Sequence, residues 1–207
     1  MIWKIDAGEV LWEDGCAKPA DMAAGKFEPM PLKAIAAKRA LTGAPIGAEA
    51  AVNAGGFAPG FATELCDVEV DLETSAVKIL RFIVAQEVAR AIHPSYVVGE
   101  LHGGVVQGIG WALNEEYIYD DAGHLQNPGF LDYRIPVASD LPMIEAIMVE
   151  VPNPNHPYGA KGAGEVNIVP AMAAVANAIN NAVDRRLTDL PMSPPKVLAA
   201  IDAGRNG

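Results

Sequence analysis

The stretch Phe61-Ala-Thr-Glu-Leu-Cys-Asp-Val-Glu-Val-Asp71-Leu-Glu-Thr-Ser75-Ala-Val77-Lys-Ile-Leu-Arg-Phe-Ile-Val-Ala85 decides the fold. Its first half alternates, with Leu65, Val68 and Val70 as apolar members and Cys66 interrupting the pattern. Such a period of two marks a half-buried strand. Asp71 to Ser75 reads as a turn, because Asp, Thr and Ser side chains bond the local backbone. Val77 to Ala85 is rich in β-branched and aromatic residues and reads as the partner strand of a hairpin. Downstream the period lengthens. Leu101, Val105, Ile109, Ala112 and Leu113 recur at helical spacing within Leu101–Glu116. Met172, Val175, Ala176, Ile179 and Val183 do so within Pro170–Arg185. A short hairpin is expected over Tyr117–Gln126, a strand over Ile144–Val151, and a cap at Ser193-Pro-Pro195 leading into a helical Val197–Ile201. Strands and helices mix without a strict βαβ alternation, which predicts an α+β body over residues 61–207.

Residues 1–60 read as an irregular or helical leading segment. It holds an apolar patch at Val10-Leu-Trp12, a turn at Glu13-Asp-Gly15, and a short helix over Met30–Ala40 carrying Leu32, Ile35 and Ala36. Thr42-Gly43 stops that helix, and Gly43 to Gly60 is a Gly- and Pro-rich loop. The 207 residues are long enough to bury a core.

Composition excludes several functions. Fifteen basic against 26 acidic residues leave a net charge of −11. A surface of that sign repels phosphate backbones and anionic lipid, so nucleic acid and membranes are not expected partners. Two cysteines, Cys16 and Cys66, neither build a disulfide framework nor hold an iron–sulfur cluster, which takes four ligands. They point to a reducing, cytoplasmic setting. The N-terminus lacks a basic region followed by an apolar run, and no stretch approaches a membrane span.

Two segments could carry chemistry. Gly103, Gly104, Gly108 and Gly110 lie inside an expected helix, where each costs about 1 kcal/mol relative to Ala. Close approach of another backbone or of a ligand is the physical reason to keep them. Tyr158-Gly-Ala-Lys161-Gly-Ala-Gly-Glu165 combines little side-chain bulk with two charges. Glu165 precedes the apolar Val166–Pro170 stretch, so partial desolvation is expected, which tunes a carboxylate toward general-base work. An ordinary tight loop with a surface Glu is the plain alternative. The loop lacks the Gly-Lys-Ser/Thr ending of a phosphate loop. His93, His102, His124 and His156 are scattered, giving no metal-ligand set, and there is no Gly-x-Ser-x-Gly elbow.

Three blocks occur in order: Gly103-Gly-Val-Val-Gln107-Gly-Ile-Gly-Trp-Ala-Leu-Asn-Glu-Glu116, Asn127-Pro-Gly-Phe-Leu-Asp-Tyr-Arg-Ile-Pro136, and Pro157-Tyr-Gly-Ala-Lys161-Gly162-Ala163-Gly164-Glu165. Together they resemble the C-terminal part of the molybdopterin-binding, catalytic subunit of molybdenum hydroxylases, the xanthine dehydrogenase and aldehyde oxidase family. The resemblance runs from near Val10 to about Ile201. It implies that residues 1–207 form a single, partial molybdopterin-binding domain. It also implies a molybdenum–pyranopterin cofactor shared with upstream or partner sequence, and water-derived hydroxylation of an aldehyde or N-heterocycle carbon. In such enzymes the glutamate of the Gly-x-Gly-Glu loop is the base, here Glu165. Cofactor contacts would fall to Gly103, Gly104, Gln107, Lys161, Gly162, Ala163 and Gly164, with Glu100 at a further cofactor position. The implied partners are a longer molybdopterin-subunit segment, iron–sulfur and flavin subunits that carry the clusters this chain lacks, and a small-molecule substrate. Two departures stand out. Glu100 occupies a place where relatives carry Gln, replacing an amide donor by an acceptor. Gln86-Glu-Val-Ala89 stands where they read Gln-Asp-Val-Gly. Relatives are also several times longer. A remnant or interaction module of the family that binds no cofactor alone is the alternative.

Overall fold

The computed structural model describes residues 2–20, 27–38, 47, 49, 51, 58–156 and 158–205. It divides into two compact units, Met1–Asn53 and Ala54–Gly207.

In the first unit, β1 (Val10–Glu13) and β2 (Cys16–Pro19) form an antiparallel hairpin, and β3 (Met30–Pro31) pairs with β2. The turn at Asp14-Gly15 has both residues at positive φ, +52° and +71°. That geometry matches the twist of two-residue hairpins, and an Asp-Gly pair is suited to it. The expected irregular leading stretch is therefore a hairpin; only its turn was visible in the sequence. The helix α1 is shorter than expected, Leu32–Ala37. Residues 39 and 40 of that expectation, and most of the Gly43–Gly60 loop, lie outside the described residues.

The second unit is built on the hairpin of β4 (Ala62–Val70) and β5 (Val77–Glu87), paired antiparallel. Asp71 fixes the turn between them: its Oδ1 accepts from the amides of Glu73 and Thr74, which holds its carboxyl below the usual range. The helix α2 (Pro94–Leu113) then crosses back, so that β6 (Ile144–Val149) joins β5 in parallel and the strand order is β4-β5-β6. The helix starts seven residues earlier than its apolar spacing indicates. Pro94 occupies its first turn, where the missing N–H goes unneeded. Helices α3 (Ile168–Val183) and α4 (Pro194–Arg205) complete the α+β unit. β5 is the central strand, and Phe82, Val84 and Gln86 are fully buried on it. Helix α3 packs on β4, and α2 packs on α3, β5 and β6. The core joins Phe82, Leu101, Val105, Ile109, Val175 and Ile179.

The face of β4 under α3 carries two ionisable groups. Burial pushes the Glu64 carboxyl up to about 8 and the Cys66 thiol up to about 12. Neither carboxyl oxygen of Glu64 has a hydrogen-bond partner among the described residues. In the unfolded chain this carboxyl ionises near 4.5, while in the fold it holds its proton to about 8. Stability is therefore greatest below pH 4.5 for this group and declines as pH rises to about 8. Glu64→Gln is expected to flatten that decline. Thermal melts at pH 5 and pH 8 check it, and an unchanged difference between the two would contradict the assignment.

Candidate cofactor cleft

Asn167, at the N-cap of α3, ties the site together. It is fully buried, and its amide donates to the carbonyls of Glu100 (3.2 Å) and Leu101 (2.5 Å) inside α2. This locks the start of α3, and the loop before it, against the middle of α2. The result is an open cleft of about 440 Å³ lined by Gly99, Glu100, Gly103, Gly104, Gln107, Gly164, Glu165 and Ile168. That volume lies in the range of small-molecule sites.

The glycines of α2 serve different ends. A Cβ on Gly104 would run into Asn167, one on Gly108 into Ala171 and the Ile168 carbonyl, and one on Gly110 into Glu115 and Pro136. These three permit close packing within the protein. A Cβ on Gly103 would meet nothing within 4 Å among the described residues. Of the pair Gly103-Gly104, only Gly103 is thus free for a ligand to approach, while Gly104 is already required by Asn167.

Six of the expected site residues, Glu100, Gly103, Gly104, Gln107, Gly164 and Glu165, share the cleft although they come from segments some sixty residues apart. Lys161, Gly162 and Ala163 do not line it. Lys161 instead pairs with Glu87 at 2.7 Å, its side chain 13% exposed and that of Glu87 11%. The Ala163 carbonyl accepts from Gln86 Nε2 at 2.7 Å. Gly162 is exposed. Lys161 and Ala163 act in holding the loop, a role that their short spacing in sequence did not reveal. The expectation of a desolvated Glu165 is also corrected: the residue is exposed, since the apolar Val166–Pro170 stretch turns down into α3 and leaves it at the cleft edge.

A flat cofactor would meet, along the glycine side of this cleft, the uncovered Gly99 and Gly103 and, in Gln107, both a donor and an acceptor. The Glu100 carboxylate, which leans toward Gly164, can accept from ring N–H groups but would repel phosphate oxygens. Among the described residues no group of three or more His, Cys, Asp or Glu could hold a metal ion through protein ligands alone. Among them no helix is long and apolar enough to cross a membrane.

Comparisons with known proteins give the family of the chain. The model of the family described as molybdopterin cofactor-binding domain matches residues 2–142. A xanthine dehydrogenase molybdenum-binding subunit from Escherichia coli O157:H7 is 35% identical over 156 residues, 75% of this chain and 21% of that protein. The nicotine 6-hydroxylase large subunit of Paenarthrobacter nicotinovorans is 40% identical over 136 residues, 64% of this chain and 17% of that protein. The crystal structure of quinoline 2-oxidoreductase from Pseudomonas putida 86 superposes with a TM-score of 0.80 at 31% identity, covering 97% of this chain and 27% of that one. The chain spans about a fifth of the length of the curated relatives it matches. With a family match over more than half its residues and a fold that follows throughout, the chain belongs to the molybdopterin cofactor-binding domain family.

Proposed function

We propose that the chain forms one wall of the cofactor site of a molybdenum hydroxylase and supplies its base, Glu165, acting on an aldehyde or N-heterocycle carbon. The observation that carries this reading is the convergence of Glu165, Gly164, Gly103 and Gln107 on one cleft. Hydroxylation with water-derived oxygen releases protons and electrons from the reacting pair, so it needs a proton acceptor and an electron acceptor. Molybdenum on its pyranopterin supplies the electron acceptor and polarises the oxygen when bound. The carboxylate of Glu165 takes the proton, Gln107 and the Gly103 backbone orient the ring system beside it, and Gly164 leaves room for the Glu100 carboxylate. Two relatives are named for nicotine and quinoline, both N-heterocycles, which supports that substrate class.

The reading includes a longer molybdopterin-subunit segment as partner, with iron–sulfur and flavin subunits taking the electrons onward. Large apolar side chains support association: Phe130, Leu131 and Met143 are 90%, 96% and 84% exposed. Large apolar side chains left this exposed are what a covering partner would bury. Co-purification with a longer molybdopterin subunit, followed by assay on N-heterocycles and aldehydes, is expected to give hydroxylation. The Glu100 carboxylate in the cleft favours a second reading, a remnant that binds no cofactor. A complex that forms but carries no pterin fluorescence would select it.

A further inference from the structure

We infer that Gln86 and Glu87, the last two residues of β5, are positioning residues that fix the Gly159–Gly164 loop and so set where the Glu165 carboxylate stands in the cleft. This rests on Glu165 being the base. Glu165 is exposed, so the backbone that carries it decides its position.

That backbone is held at four successive points. The Arg90 amide donates to the Gly159 carbonyl at 3.1 Å, and Ala89 forms an antiparallel bridge with Ala160. Lys161 Nζ reaches Glu87 Oε2 at 2.7 Å, and Gln86 Nε2 reaches the Ala163 carbonyl at 2.7 Å. Successive strand residues point to opposite faces. Gln86 and Glu87 nevertheless grip the same loop, two residues apart, so the loop wraps the strand end and is clasped from both sides.

Each residue also carries a cost that packing alone would not require. Gln86 is fully buried, and its Oε1 has no partner among the described residues. An apolar side chain there would avoid that loss, but it could not donate to Ala163. Glu87 divides its two oxygens. One holds Lys161, and the other accepts from the Ala89 amide at 2.7 Å. Ala89 sits at φ +55°, a left-handed conformation that residues other than glycine seldom adopt. One carboxylate thus stabilises the sharp exit from β5 and the loop that this exit meets. Lys161, the single cation of the glycine-rich segment, is spent on this clasp, with a second bond to the Pro59 carbonyl at 3.3 Å.

The test compares wild type, Glu87→Gln, Gln86→Met and the double variant Glu87→Gln/Lys161→Gln. Glu87→Gln keeps the bond to Ala89 and removes the charge facing Lys161. Gln86→Met keeps the volume and removes only the donor, and it serves should Glu87→Gln fail to fold. In the full chain, amide exchange of residues 159–164 is expected to quicken about tenfold or more in each single variant, with β4 and α3 still protected. The double variant, with an amide pair in place of the ion pair, is expected to recover most of the protection. In the assembled enzyme, kcat per bound molybdenum is expected to fall about 10- to 100-fold, with KM changed less than about threefold. Unchanged loop exchange, or a lower Tm with unchanged kcat per molybdenum, would overturn the inference. Glu165→Gln, run in parallel, keeps the two readings apart: full activity there removes the base assignment, while the exchange data still decide whether the clasp holds the loop.

Discussion

Glu165→Gln is expected to lower kcat of the assembled hydroxylase by about 10²- to 10⁴-fold, the range that a positioned general base contributes. Glutamine keeps the size and shape of the side chain but cannot take a proton near neutral pH. Because Glu165 is exposed and stands at the cleft edge, the change should leave stability within about 0.5 kcal/mol. KM should move little, since binding along the glycine side of the cleft does not use this carboxylate. Steady-state kinetics on protein with a measured molybdenum content separates these effects. Wild-type kcat in the variant would remove Glu165 from the chemistry.

Gly108→Ala is expected to destabilise the chain by about 1–3 kcal/mol, against the intrinsic preference of helices for alanine. In an isolated helix the same change would gain about 1 kcal/mol. Here the new Cβ would run into the side chain of Ala171 and the carbonyl of Ile168, both on α3, so the two helices must part. The Asn167 bonds into α2 lie one turn away and would loosen with them, opening the cleft. Gly103→Ala makes the opposite case. Its Cβ meets nothing within 4 Å among the described residues, so the propensity gain of up to about 1 kcal/mol should appear in full. Denaturant midpoints measure both, and shifts of the same sign would mean that close helix packing does not explain Gly108.

The difference between these two glycines shows how far the sequence could be read. Four glycines in one helix announced that something comes close, yet only the fold distinguishes the neighbour of each. The β4–β5 hairpin and α3 were legible because their apolar periods are strong and local. The parallel pairing of β6 with β5 was not, since no local pattern records which strand lies alongside. The first turns of α2 were missed although Val97 continues the Leu101, Val105, Ile109 stripe, because the β-branched pair Val97-Val98 between Pro94 and Gly99 carries no helix signal of its own.

The site divides in the same way. Glu165 and the Gly103 and Gln107 positions stood out through motif order, and they meet in the cleft. Lys161 stood out as the charge of the glycine-rich loop. Its partner Glu87 lies 74 residues earlier, a pairing that only the wrapped loop makes possible. Gln86 stood out only as the first residue of a block shared with relatives, and its burial is a property of the tertiary fold.

Molybdenum content of the natively purified assembly that contains this chain tests the central claim most directly. If the chain completes a molybdopterin site, molybdenum should co-purify in stoichiometric amount, and Glu165→Gln should retain the metal while losing turnover. An assembly that is intact yet free of molybdenum and pterin would contradict the account.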